Sequence, residues 1–213
     1  MRINVGCGRS PTPGWSNFDN SPSVRFSQLS PVLITLLAKF SILNQGQCDF
    51  ITFCRSQNIV YADALSLPLP DHQVDVIYSS HMLEHLDQYA ARCFLQEAKR
   101  LLKPGGIIRL VVPDLEAMVL NYMKHLDGNA FLEQTLLIRN DPRSLGNRLA
   151  FLITGDRGHK YLYDARSLCR LLAKESFVNP CALPPGETTI PHPGELNLRE
   201  REAESIYVEA LAP

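Results

Sequence analysis

Short β-branched runs that end in small or polar residues recur along this chain, and they constrain its fold more than any other feature. Residues 3–5 (INV) run into Gly6-Cys7-Gly8, 59–62 (IVYA) into Asp63, 74–78 (VDVIY) into Ser79-Ser80, and 107–112 (IIRLVV) into Pro113-Asp114. Strands buried on both faces read as near-continuous apolar runs, and their carboxyl ends open into a ligand cleft. Between the last two runs, Ala91, Phe94, Leu95, Ala98, Leu101 and Leu102 recur at helical spacing. Asp87 is placed to cap that helix and Pro104-Gly105-Gly106 to stop it. Residues 74–112 therefore predict a strand–helix–strand unit, the right-handed crossover of a parallel sheet.

Residues 114–153 read as two or three helices with a polar break at 139–143. Asp164 caps a further helix whose Leu168, Leu171 and Leu172 face the core. Strands are expected at 177–183 and 205–211, separated by PPGETTIPHPGELNLRERE. No domain boundary is visible. Residues 1–213 read as one domain, with 114–163 as a helical cover inserted over the site. The most apolar run, 31–43, is shorter than the about 20 residues a bilayer span needs. Phe26, Leu29, Leu33, Leu36, Leu37, Phe40 and Leu43 predict one helical face packed on the core. The alternative is an interfacial membrane helix, since Lys39 is the sole cation on its polar side.

The formal charge of −1 gives no basic excess, so nucleic acid is not expected as a partner. None of the six cysteines has C-x-x-C spacing, which argues against a zinc knuckle and for free thiols in a reducing cytoplasm. The opening MRINV reads as a strand rather than a signal peptide.

The chemistry gathers at the strand ends. Gly6-Cys7-Gly8 makes a concavity in which backbone N–H groups approach a ligand. It is not a dinucleotide fingerprint, because Pro11 stands where the third glycine is required. Asp19 ends the next extended segment, 15–19, where a carboxylate accepts ribose hydroxyls. Asp63, with Ala64 and Leu65, offers an acid and apolar neighbours for an adenine. Ser80 and His81 end the fourth run. His81-Met82-Leu83-Glu84-His85 also spells H-x-x-E-H, the inverted zinc-peptidase pattern. That reading needs both histidines on one helix face, whereas a cap at Asp87 leaves them in the preceding loop. It also needs a distant carboxylate, and nothing singles one out, so no metal ligands are assigned.

Taken in order, INVGCG, DALSLPLPDHQVDVIYSSHMLEHL, EAKRLLKPGGIIRLVVPD and GHKYLYDARSLCRLLAKESF resemble the class I S-adenosylmethionine-dependent methyltransferases, type 11 branch, over roughly residues 2–180. The resemblance implies an α/β, Rossmann-like, doubly wound and mostly parallel seven-stranded sheet. It implies S-adenosyl-L-methionine as cofactor, with S-adenosyl-L-homocysteine as product. The cofactor contacts it implies are Gly6, Cys7, Gly8, Asp19, Asp63, Ala64, Leu65, Ser80 and His81, with Trp15 as a cofactor wall or a core residue. His159, Lys160, Tyr161 and Tyr163 are expected near the transfer pocket, and His81 or His159 as catalytic base. Three departures stand out. Asn4 replaces the family's usual acid, Ser10 replaces a frequent third glycine, and about ten residues separate Gly8 from Asp19, which shortens the first crossover to a loop. The tight G-W-x-N-x-D link resembles a small subgroup of predicted methyltransferases. The expected acceptor is a small molecule, sugar-containing as a first guess. A non-catalytic cofactor-binding module is the alternative, and an H-x-x-E-H zinc hydrolase the remote one.

Overall fold

Seven strands form one sheet: β1 (Arg2–Val5), β2 (Ser16–Asp19), β3 (Val60–Tyr61), β4 (Val74–Ser80), β5 (Leu102–Pro113), β6 (Val178–Leu183) and β7 (Ser205–Leu211). Their order is β3-β2-β1-β4-β5-β7-β6. The first five are parallel, and β7 runs antiparallel to both neighbours. This computed structural model describes residues 1–40, 42–137 and 158–213.

Strand alternation sorts the core into two faces. Ile3, Val5, Ile77, Ile108, Leu110, Val112, Val208 and Ala210 point to the first. Two amphipathic helices cover it. Helix α4 (Gln88–Leu101) contributes Phe94 and Leu95, and α7 (Ala165–Lys174) contributes Leu168 and Leu172. Asp87 caps α4 through Ala90 N (2.8 Å), and Asp164 caps α7 in a reciprocal capping box with Ser167. Both caps stand where the sequence puts them, but the helix ends at Leu101, ahead of Pro104-Gly105-Gly106, and Leu102, expected on the helix, already opens β5.

The second face carries Val76, Tyr78, Ile107, Val111 and Tyr207. It is covered by the Pro-rich connection 184–204, which supplies Ile190, Leu196 and Leu198. A buried ion pair anchors this connection. Arg109 and Glu209 are direct cross-strand partners, 0% and 1% exposed, with Nη1 to Oε1 at 2.6 Å. Glu209 also accepts from Thr188 Oγ1 (2.6 Å), Thr189 N (2.7 Å) and Thr189 Oγ1 (2.5 Å), and Arg109 donates to Glu187 O (2.9 Å). Tyr78 donates to Glu200, and Arg2 donates to Pro191 O and His192 O. Each charge is thus hydrogen-bonded, the condition under which ions tolerate burial.

The first crossover, residues 6–15, contains no helix, and side chains of β1 and β2 hold it instead. Asn4 Nδ2 donates to Ser10 O (2.9 Å) and Thr12 Oγ1 (3.1 Å). Asn17 accepts from Thr12 N (2.8 Å) and donates to Thr12 O (3.1 Å) and Trp15 O (3.0 Å). Asn4 is therefore an amide because it must donate to a loop, which a carboxylate does not do.

Helices α1 (Pro22–Ser27), α2 (Pro31–Lys39) and α3 (Gln45–Ser56) connect β2 to β3. The predicted apolar face of the 31–43 run needs correcting. Ile34 and Leu43 are buried, while Leu33, Leu36 and Phe40 lie exposed. The helix ends at Lys39 and meets the rest of the protein along one edge, against α3. No helix among the described residues is long and apolar enough to cross a membrane. In the expected cover, α5 (Leu115–His125) and α6 (Gly128–Thr135) form as two helices. The break at 139–143 and the helix expected beyond it lie outside the described residues.

Candidate functional site

The carboxyl ends of β1 to β4 share one edge of the sheet, as parallel pairing requires. After β1 the chain turns sharply at Gly6 (φ +71°), whose N–H, with that of Cys7, donates to Phe18 O. A Cβ at position 6 would overlap the Met82 side chain, so the glycine serves a close protein contact as well as a turn. Gly8 (φ +49°) differs: a Cβ there meets nothing within 4 Å. Its N–H donates to Asp19 Oδ2 (2.9 Å), and Asp19 Oδ1 accepts Ser21 N (2.7 Å). Asp19 is thereby fixed at the mouth of the glycine turn with lone pairs to spare on both oxygens. Beside it, Ser21 Oγ is buried and lacks a hydrogen-bond partner among the described residues.

The other candidates spread along the same edge. Asp63 is exposed and turns its own loop by accepting Leu65 N (3.0 Å), while Ala64 is buried and Leu65 half-buried against the first-face core. Ser80 closes β4 beside Val111. Cys7 is buried with Val24, Cys54 and Ile59, and burial, aided by the Asp19 charge, pushes its thiol up out of the physiological range. Trp15 packs half-buried against the second-face core, with the Arg2 guanidinium 5.7 Å from its ring centroid.

Past β4 the chain makes a second cluster. His81 (φ +50°) leaves the strand, and a single 3₁₀ turn, Leu83–His85, follows. The long helix of the zinc-peptidase reading does not form. His81 and His85 nevertheless converge, together with His159, on Glu84. Glu84 is 1% exposed, and its Oε1 lies 3.4 Å from His81 Nδ1 and 4.0 Å from both His85 Nε2 and His159 Nε2. Lys160 N (2.7 Å) and Tyr161 N (3.2 Å) donate to Glu84 O, pinning the 158–161 segment to the turn. His81 Nε2 meets Ser205 Oγ at 2.9 Å, and Arg201 reaches its Nδ1 at 3.4 Å. Burial holds His159 below the usual histidine range, against the pull of Glu84. The rings of Tyr161 and Tyr163 pack at a tilt with centroids 4.9 Å apart, Tyr163 within the core.

Spacing in the sequence groups Glu84 with His81 and His85 but not with His159, which lies 75 residues further along the chain. The L-E-H string was the available signal. Arg201 had none, since it sits in an irregular segment.

A methyltransferase-domain family model matches residues 4–110, half of the chain. This sheet, with its strand-end glycine turn and acids, belongs to that family. A probable S-adenosylmethionine-dependent methyltransferase from Mycolicibacterium smegmatis is 37% identical over 57 residues, which is 27% of this chain and 21% of that protein. The matched stretch thus spans about a fifth of this relative's length. Among solved structures, a SAM-dependent methyltransferase from Thermotoga maritima, titled a possible histamine N-methyltransferase, superposes with TM-score 0.52 at 13% identity. It covers 100% of this chain and 82% of the other. A SAM-dependent methyltransferase from Methanosarcina mazei gives TM-score 0.52 at 16% identity, covering 99% and 91%. These likenesses show the fold, a Rossmann-like α/β methyltransferase sheet. Family membership makes S-adenosylmethionine the cofactor to test against the cleft, and the residues fit it. The open side of Gly8, the spare lone pairs of Asp19 and the Ser21 hydroxyl, without a partner among the described residues, offer room and polar partners together.

Proposed function

We propose that this protein binds S-adenosylmethionine at the carboxyl ends of β1 to β4 and transfers its methyl group to a small-molecule acceptor, sugar-containing as a first guess. The observation that carries the reading is the Gly8–Asp19 pair: a glycine facing open space, its N–H locked to a strand-end carboxylate, inside the family-matched segment. Gly6, Cys7 and Gly8 would line the site as a close-approach turn, their N–H groups being already donated to Phe18 O and Asp19 Oδ2 rather than to a ligand. Asp19 would be the ribose acceptor, and Asp63 with Ala64 and Leu65 the adenine subsite. Ser80 and His81 would form the far wall. Bound there, the cofactor supplies a methyl group on a positive sulfur, displaced in line by the acceptor's lone pair. The chain's own task is to align the acceptor and exclude water.

Where the acceptor carries a proton, His81 or His159 takes it. Residues 114–163 act as the cover that selects the acceptor. Neither a nucleic-acid acceptor nor a membrane-embedded one is part of this reading. All six cysteines are free thiols, which suits a reducing cytoplasm. His81→Ala and His159→Ala test the base. Turnover lost with S-adenosylhomocysteine affinity intact supports the assignment, and full activity in both removes it. The alternative, a cofactor-binding module without catalysis, is favoured by the helix-less first crossover. It predicts binding but no methylated product with any acceptor.

A further inference from the structure

We propose that Glu84, His85 and His159 form a binding site for one divalent first-row transition ion. Both carboxylate oxygens of Glu84 are buried and lack a hydrogen-bond partner among the described residues. A buried carboxylate without donors is costly, so the fold must compensate it in another way. His81 Nδ1 faces it at 3.4 Å from one side, and two further imidazole Nε2 atoms face it at 4.0 Å, too far to hydrogen-bond and near enough to share an ion. One carboxylate oxygen and the two ring nitrogens all lie within 4.8 Å of one another. Bonds of about 2.0–2.2 Å put the ligand atoms of a tetrahedral zinc site about 3.3–3.5 Å apart. Side-chain rotations of about 1 Å would therefore close the triad.

A second observation points the same way. His85 Nδ1 lies 3.1 Å from the Gly158 carbonyl, which accepts only from a protonated nitrogen. The neutral ring then carries its lone pair on Nε2, the atom turned toward Glu84. This is the outer hydrogen bond that orients a metal-ligating histidine. The backbone bonds from Lys160 and Tyr161 to Glu84 O hold His159 opposite, so the triad is fixed from both sides. Two imidazoles and one carboxylate suit zinc or ferrous iron rather than magnesium or calcium. His85, a third exposed, marks the side open to an incoming oxygen ligand. With His159 on the ion, His81 is left to serve as base, and this one consequence rests on the methyl-transfer reading.

Metal-stripped protein, titrated with zinc chloride by calorimetry and with cobalt chloride by visible absorption, tests the site. The expected result is one equivalent bound at micromolar or tighter affinity, with cobalt bands that bleach on adding zinc. Glu84→Gln and His85→Ala should each weaken binding at least about 100-fold, since even loss of an outer-shell partner costs 10–100-fold. Circular dichroism identifies a variant that fails to fold, and His159→Asn then takes its place. No binding to the folded wild type, or binding unchanged in the folded variants, overturns the proposal. A proton shared between Glu84 and an imidazole then explains the cluster. S-adenosylhomocysteine binding, measured on the same stripped protein, reports on the cofactor cleft separately, so failure of either site is distinguishable.

Discussion

Arg109 and Glu209 show how single residues govern this fold. The pair sits in the sheet itself, and each partner is also bonded to the connection that covers the second face. Removing one side leaves the other charge buried and uncompensated. Arg109→Ala is expected to lower the unfolding free energy by about 3–5 kcal/mol. Urea denaturation measures this, and a loss below about 1 kcal/mol would contradict the anchoring role. Burial alone would raise the Glu209 carboxyl, but hydrogen bonds from Thr188, Thr189 and Arg109 outweigh it and hold it below the usual glutamate range. Its folded pKa thus lies below the unfolded value of about 4.3. The stability it contributes is complete above that pH and is lost as pH falls through the folded pKa. Urea midpoints should therefore drop below about pH 4.3, and Glu209→Gln should make that drop shallower. Gly6→Ala must place a Cβ against Met82 at positive φ. It should cost several-fold in S-adenosylhomocysteine affinity, whereas Gly8→Ala meets no protein atom and acts through φ alone.

At the scale of elements, the first crossover is the part that departs most from a doubly wound sheet. Two asparagines do there what a helix does elsewhere. Asn17→Ala deletes three hydrogen bonds at once and leaves Thr12 N without its partner. A cost of about 1–3 kcal/mol is expected for that orphaned donor. Hydrogen exchange should report it as faster exchange confined to residues 6–15, and a uniform rise across the sheet would contradict a local role. Elements with local signals were legible in the sequence: α4 and α7 through their caps and apolar spacing, and β1, β4 and β5 through their apolar runs. The cover of the second face was not. Its anchors, Ile190, Leu196 and Leu198, lie among prolines and glycines without periodicity, and their partners are strands distant in the chain. The 31–43 helix misled because helical spacing says which residues share a stripe but not whether a neighbour covers it. The candidate site was half legible. The strand-end residues follow from topology, whereas the convergence of His159 on Glu84 is a tertiary event that no spacing encodes.

For the molecule as a whole, the arrangement divides labour between the two faces. Helices and apolar side chains stabilise the first face, a clamped irregular segment seals the second, and the shared strand-end edge is where we propose the chemistry. Residues 4–110, the family-matched part, hold the strand ends proposed for the cofactor, and His159 joins Glu84 from beyond that boundary. The account's central claim is that this edge binds S-adenosylmethionine through Asp19 and Asp63. Calorimetric titration of the purified protein with S-adenosylhomocysteine, beside Asp19→Ala and Asp63→Ala, tests it most directly. Micromolar binding in the wild type, weakened at least tenfold in both folded variants, is the predicted result. No binding to the folded wild type, or equal affinity in all three proteins, would contradict it.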